Sequence, residues 1–269
     1  MSGIVPNLSK PLPPKGKALN DYTWEEISMI SSAGKARSYF SVGDRKAITL
    51  NGTVGAITFS NVTYYAYIIG IDHNASIEGS NRIHFQFAYS DINDGTNLAF
   101  ATTGYNGNYP YATTEITMND TNASAGGWKD SKMRNTICSQ FKNALPLELQ
   151  SVLKTVTKYS DNTGGSSSNT SYVTATTDTI FLLSEYEVYG QRQYANTAEQ
   201  TYQSRYAYYA AGNTMLKKRH YNTSYASRWW LRSTVQANTY NFVCVNDSGS
   251  QPLGVSAADS SGLAPAFCV

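Results

Sequence analysis

The chain has 269 residues, 41% of them hydrophobic, enough for one large domain or two modest ones around a substantial core. Only 15% are charged, the net charge is +2, and the longest basic run is Lys217-Lys218-Arg219, so there is no footprint for gripping a phosphate backbone and nucleic acid is not an expected partner. Polarity comes instead from Ser, Thr, Asn, Gly and 21 Tyr, a palette that suits either contact with macromolecules or the pleated surface of β structure.

Residues 1–20 carry four of the eight prolines (Pro6, Pro11, Pro13, Pro14) together with Lys10, Lys15 and Lys17, and read as an extended arm. A helix is expected from Thr23, which caps it with Glu26 completing a capping box and Trp24, Ile27 and Ile30 on one face; Ser31 to Gly34 ends it. Residues 42–100 read as short strands: Ala47 to Leu50, a hairpin turn at Asn51-Gly52, Ala56 to Phe59, and the apolar run Tyr64 to Ile71. Helices are expected from Lys129 to Phe141 and from Leu147 to Lys154, with Pro146 at a first-turn position. Residues 160–171 read as a flexible loop. A buried strand (Thr179 to Leu183), a Tyr-rich stretch (Tyr194 to Tyr209) and terminal strands at Trp229 to Arg232, Asn241 to Asn246 and Ala264 to Val269 complete the chain. Strands throughout without βαβ alternation predict an α+β fold.

No apolar run reaches the roughly 18 residues of a membrane span, and Met1 to Pro6 lack the pattern of a secretory signal, so membrane insertion and export by the standard route are not expected. The cysteines Cys138, Cys244 and Cys268 are too scattered for a disulfide framework or a C-x-x-C site, and none has a recognisable histidine context. His73, His84 and His220 show no zinc-ligand spacing. Asp91-Ile-Asn-Asp-Gly95 lacks the glutamate that would complete a calcium loop and reads as a turn. Glu185 and Glu187, taken as strand residues, would point to one face as a structural pair. Serine-elbow, Walker and dinucleotide motifs are absent, so the chemistry points away from an enzyme and no metal or cofactor is expected.

The C-terminus is different. Bulky segments at Arg228 to Ser233 and Leu263 to Val269 enclose two stretches without a hydrophobic period, Thr234 to Asn241 and Ser248 to Ser261. They are either adaptable loops on a rigid frame or ordinary surface turns.

Several segments carry a family resemblance: Gly34-Lys35-Ala36 with Tyr39, Val42-Gly43-Asp44, Ile68 to His73, Gly126-Gly127-Trp128 followed by Met133-Arg134, Phe181 to Gly190, Trp229 to Ser233, and Ala264 to Cys268. From about residue 17 to the end, the chain resembles a widespread bacterial and phage domain of unassigned function. Its C-terminal part in turn resembles the variable proteins of diversity-generating retroelements, which have a C-type lectin fold and often serve as receptor-binding proteins on phage tails. The resemblance implies a C-type lectin-like domain of short helices on mainly antiparallel sheets, with residues 1–20 as an arm, 21–228 as scaffold and 229–269 as the variable ligand-binding segment. Trp229, Trp230, Leu231, Arg232, Ser233, Phe242, Gly249, Pro265 and Phe267 would be framework. Val235, Asn238, Thr239, Tyr240, Asn241, Cys244, Leu253, Gly254, Val255 and Ser256 would be diversified, all being reachable from an Asn codon by changing its adenines. Gln236 is not reachable in this way and would be a fixed contact or the descendant of a lysine codon. Cys244 would then be an exposed product of diversification.

Departures exist. Thr234 stands where the resembling sequences commonly have proline, and the calcium-and-sugar signatures of true lectins are missing, so calcium-dependent sugar binding is not implied. The implied protein is a homo-oligomeric virion component, made in the host cytoplasm, that binds a host-surface protein or glycan and docks to other tail proteins through its arm. Alternatives are an oxidase-related enzyme of the formylglycine-generating type, for which no matching cysteine pair is found, and a structural tail or decoration protein without a ligand.

Overall fold

The computed structural model describes residues 11–101, 116–164 and 169–269. Along them run strands β1 (Arg45–Val54), β2 (Ile57–Ile71), β3 (Ile83–Tyr89), β4 (Leu98–Ala99), β5 (Val156–Asp161), β6 (Val173–Asp178), β7 (Ile180–Phe181), β8 (Lys217–Arg219), β9 (Asn222–Ser227), β10 (Trp229–Thr234), β11 (Asn241–Val245), β12 (Pro252–Ser256) and β13 (Ala266–Cys268). The helices are short: α1 (Trp24–Ser32), α2 (Ala75–Glu78), α3 (Gly127–Asp130), α4 (Cys138–Ala144), α5 (Leu147–Gln150), α6 (Glu185–Tyr189) and α7 (Ala207–Ala210). The fold is α+β.

The central sheet has the order β1-β2-β3-β13-β7, antiparallel throughout. Strand β13 lies between β3 and β7, so the C-terminal segment is built into the middle of the molecule. Its two faces differ because side chains alternate along a strand. One face is apolar: Phe85 stacks on Phe267 at 5.2 Å between ring centroids, Trp24 of α1 meets Phe85 edge-on at 5.5 Å, and Phe141 of α4 meets Phe87 at 5.1 Å. Each such buried ring stabilises by roughly 2–3 kcal/mol. The other face carries Tyr67, His84 and Gln86, and the tyrosines of α7 and the residue before it cover it: Tyr209 donates to Gln86 Oε1 at 2.5 Å and Tyr206 Oη lies 3.1 Å from His84 Nδ1. That is what the Tyr-rich stretch does; it forms turns and α7 and packs polar rings onto a polar sheet face.

Helix α1 starts as its sequence dictates. Thr23 Oγ1 accepts from the Glu26 N–H at 3.1 Å and Glu26 Oε2 accepts from the Thr23 N–H at 2.8 Å. Other expectations need correction. The first hairpin turns at Gly55-Ala56, whereas Asn51-Gly52 lies within β1, opposite a bulge at Ser60-Asn61 where Asn61 takes φ +54°. The expected helix Lys129 to Phe141 is broken after Asp130 and resumes through a π-turn, Met133–Ile137, into α4. Helix α5 stops at Gln150. Residues 160–171 form the connection expected, except that Ser160 and Asp161 still belong to β5 and Thr170–Tyr172 form a 3-10 turn; it joins β5 and β6, which pair from Val156↔Asp178 to Asp161↔Val173, and residues 165–168 lie outside the described residues. Of the expected arm, residues 1–10 lie outside the described residues, but from Leu12 onward the chain is docked: Tyr39 donates to the Pro13 carbonyl at 2.8 Å, Tyr22 to Pro14 at 2.7 Å, and Leu19 is buried.

Candidate functional site: the C-terminal sheet and the buried charge cluster behind it

Strands β10, β11 and β12 form a three-stranded antiparallel sheet with β12 at its edge. Every residue of β10 is buried. Trp229 Nε1 donates to the Met215 carbonyl at 2.9 Å and Trp230 Nε1 to Ile116 at 2.8 Å, so both indoles are anchored as well as packed. Phe242, Pro265 and Phe267 are buried with them. All the residues expected to be framework are therefore buried except Gly249, which is half-buried.

The candidate contact residues divide in three. Thr239, Tyr240 and Leu253 are exposed, with Tyr240 at 55% and Leu253 at 39% of their full accessibility. Gln236, Asn238, Asn241, Gly254 and Ser256 are half-buried. Val235, Cys244 and Val255 are buried, which corrects the expectation for all three. Cys244 in particular is a core residue on the central strand β11, with its Sγ 3.6 Å from Ser261 Oγ, and burial pushes its thiol up to about 12. The second stretch expected to be a loop contains an edge strand, β12.

The turn that presents Tyr240 is rigid. Asn238 Oδ1 accepts from the backbone N–H groups of Tyr240 (2.8 Å) and Asn241 (2.9 Å), the Thr239 carbonyl accepts from Ser124, and the Tyr240 carbonyl accepts from Ala257. Asn is the residue type that closes such a turn on its own backbone. Ser256 Oγ donates to Asn122 Oδ1 at 2.8 Å, tying the end of β12 to a neighbouring loop. Since Tyr240 pairs beside Ala257, it lies roughly 13 Å along β12 from Leu253, at about 3.3 Å per residue.

Behind this sheet lies a cluster that sequence reasoning missed. Arg232 of β10 grips Glu187 with two bonds, Nη1 to Oε2 at 2.5 Å and Nη2 to Oε1 at 2.9 Å, and gives Nε to Ser160 Oγ. Lys158 of β5 donates to Glu187 Oε1 at 3.1 Å and to Glu78 Oε2 at 2.6 Å. All four side chains are almost fully enclosed, two cations against two carboxylates. Burial would raise Glu187, yet Arg232 and Lys158 outweigh it and hold the carboxyl well below its usual range. Burial would likewise lower Arg232, but Glu187 drives it above its ordinary value. Burial pushes Glu78 up to about 7 against the opposing pull of Lys158. It also lowers His73 to about 3 and His84 well below its usual value, with Lys158 adding to both, so the imidazoles are neutral.

Glu185 and Glu187 belong to helix α6 and not to a strand, which corrects their expected geometry. Ser184 caps that helix with Glu187 in a second capping box. The signal, Ser184-Glu-Tyr-Glu187, stands in the sequence in the same form as the one at Thr23. Glu185 points elsewhere and accepts from the backbone N–H groups of Gln193, Tyr194 and Ala195.

His73, Glu78 and Glu187 bring ligand-type atoms within 4.8 Å of one another, a grouping that a search by sequence spacing passes over. A divalent cation there would have to displace the Lys158 ammonium, because the protein's own cations already answer both carboxylates. Cys268 Sγ lies 3.2 Å from His84 Nδ1, a histidine neighbour that the sequence context of the cysteines did not show. The pair is nonetheless poor as a nucleophile and base. Both groups are fully buried, burial pushes the thiol well above its usual range, and Glu78 approaches the same Nδ1 at 3.7 Å instead of orienting the far nitrogen. At Asp91 to Gly95, Arg45 Nη1 donates to the Asp91 and Asn93 carbonyls, so a guanidinium occupies the position where a calcium loop would turn its oxygens.

A family model described as a domain of unknown function, DUF6273, matches residues 103–269. The chain belongs to this family. The match takes in both the β10-β11-β12 sheet and the α6 carboxylates, with Lys158 and Arg232, though not His73 and Glu78. No curated protein and no solved structure matches the chain.

Proposed function

We propose that this DUF6273 chain is a non-enzymatic binding module that holds a host-surface protein or glycan through the β10–β11 turn and the edge strand β12, and that it does so on a phage tail. One observation carries the reading: Tyr240 and Leu253 are large, exposed apolar side chains, Tyr240 on a turn whose backbone is hydrogen-bonded on both sides and Leu253 on an edge strand paired through Cys244 to the buried framework. Rigid aromatic side chains on a preorganised surface bind at low entropic cost. The contact set narrows to Gln236, Asn238, Thr239, Tyr240, Asn241, Leu253, Gly254 and Ser256.

A C-type lectin-like organisation and rewriting of these codons by a retroelement belong to the same reading. Their support is the division of the segment into buried aromatic strands and an exposed turn. Weak single sites of this kind gain from multivalency, so the module acts as a homo-oligomer, with the segment before residue 11 as its tether to other tail proteins. Purified protein should block virion adsorption to host cells in a saturable, dose-dependent way. Adsorption unchanged at a large excess of protein would favour a structural decoration role instead. For the diversification claim, a neighbouring near-copy of codons 229–269 should differ only at adenines, with the differences falling on Thr239, Tyr240 and Leu253.

A further inference from the structure

On another part of the surface, two open pockets of about 410 and 340 Å³ share Arg45 and Asn93 in their walls and so adjoin. Arg45 is held in place where they meet. Its guanidinium carbon sits 3.5 Å over the centre of the Tyr89 ring, and Nη1 is committed to the carbonyls of Asp91 at 3.0 Å and Asn93 at 2.8 Å. A guanidinium stacked on one face and clamped at one corner presents its remaining N–H donors in a fixed direction, which is the preorganisation that favours bidentate capture of a carboxylate. Lys17 lines the first pocket and Lys218 the second, against the carboxylates of Asp44 and Asp94. Among the described residues no carboxylate lies within ion-pair distance of Lys17, Arg45 or Lys218. One oxygen of Asp44 is already occupied, accepting from the Ser41 N–H at 2.8 Å, and Asp94 stands at the exposed rim. The remaining walls mix polar and apolar groups: Asn20 and Asn93 beside Leu19 and Ile92 in the first pocket, and Thr96, Asn97 and Thr214 beside Tyr89 and Leu216 in the second, a lining that offers a sugar ring hydrogen bonds to its hydroxyls and an apolar surface to its C–H face.

We propose that the two pockets form paired subsites for an acidic saccharide, with one sugar ring in each and a carboxylate received by the outward edge of Arg45. Binding here involves no residue of the Tyr240 surface and does not rest on that surface having a ligand. The test uses the full chain, digalacturonate as probe and its dimethyl ester as the uncharged counterpart, with binding followed by calorimetry or ligand-observed NMR. Digalacturonate should bind saturably and weaken as salt is raised, while the ester should bind at least ten-fold more weakly. Arg45→Gln should lose at least ten-fold in affinity. Because Arg45 also clamps a turn, Lys17→Gln with Lys218→Gln serves as a second variant; it should lose about three- to ten-fold with an unchanged melting temperature. Tyr240→Ala should bind digalacturonate as wild type does. Absence of saturable binding at 10 mM probe (about the weakest useful affinity), equal binding of the ester, or wild-type affinity in the double lysine variant would each overturn the proposal.

Discussion

Glu187 receives both Arg232 and Lys158 in a site closed to water, so deleting its charge leaves two buried cations with Glu78 alone to answer them. Breaking a buried pair from one side typically costs about 3–5 kcal/mol, far more than the pair contributes relative to an apolar replacement. Glu187→Gln should therefore lower the unfolding free energy by that amount in urea titration, and a loss under about 1 kcal/mol would show that the cluster is less tightly closed than its geometry indicates. Glu199 gives a pH-dependent counterpart. Burial pushes its carboxyl up to about 7, although it accepts from the Ser233 hydroxyl at 2.6 Å and the Asp161 N–H at 2.8 Å. A carboxyl with a raised folded pKa contributes stability that is fully present below its unfolded value near 4.5 and is lost as pH rises through about 7. Glu199→Gln cannot lose that contribution. Melting temperatures of variant and wild type should accordingly shift in the variant's favour between pH 5 and pH 8, by the equivalent of about 2–3 kcal/mol; parallel profiles would refute it. Glu187 was expected as a structural carboxylate and Arg232 as framework, but their assembly with Glu78 and Lys158 could not be read from sequence, because the four are far apart in the chain and only the fold encloses them together.

At the scale of elements, legibility followed the kind of signal. The capping box at Thr23 and the apolar face of α1 are local, and α1 forms where they place it. The strand expected at Trp229 to Arg232 was also legible, since a dense aromatic run has few alternatives to burial, although β10 runs on to Thr234. By contrast β12, with its Gly and Pro, has no strand signature of its own and exists because β11 offers it a partner through five register pairs. The helix expected from Lys129 fails for a backbone reason. Ser131, directly after α3, is extended (ψ 145°) and its Oγ accepts from the Arg134 N–H at 3.1 Å, so one turn ends there and the next is capped. Before α3, Gly126 and Gly127 adopt φ of +77° and +54°, and a Cβ on Gly127 would stand 2.2 Å from the Asp161 carbonyl oxygen, so this turn packs tightly against β5. Gly212 also has positive φ, +82°, but meets nothing within 4 Å. Gly127→Ala should thus destabilise by more than about 2 kcal/mol and Gly212→Ala by about 1 kcal/mol, as measured by thermal or urea unfolding. Equal costs would mean that the approach of α3 to β5 is looser than described.

For the whole molecule, the organising feature is a C-terminal segment that is both core and candidate surface. Strand β13 completes the central sheet, β10 anchors two indoles and the Arg232–Glu187 pair, and the turn between β10 and β11 emerges from that frame with Tyr240 exposed. The sequence pattern marked the bulky strands but read β12 as loop, and it could not say which positions face inward, so Val235 and Val255 from the irregular stretches and Cys244 of β11 fall in the core. Their burial separates shape from contact: substitutions there should act through stability, whereas substitutions at Tyr240 and Leu253 should act through binding. The most direct measurement pairs the two readouts on Tyr240→Ala combined with Leu253→Ser, recording the melting temperature of the purified protein and the adsorption of virions that carry it. A melting temperature within about 2 °C of wild type, as expected for exposed positions, together with adsorption reduced at least ten-fold, is the predicted result. Normal adsorption by a stably folded double variant would contradict a binding role for this surface.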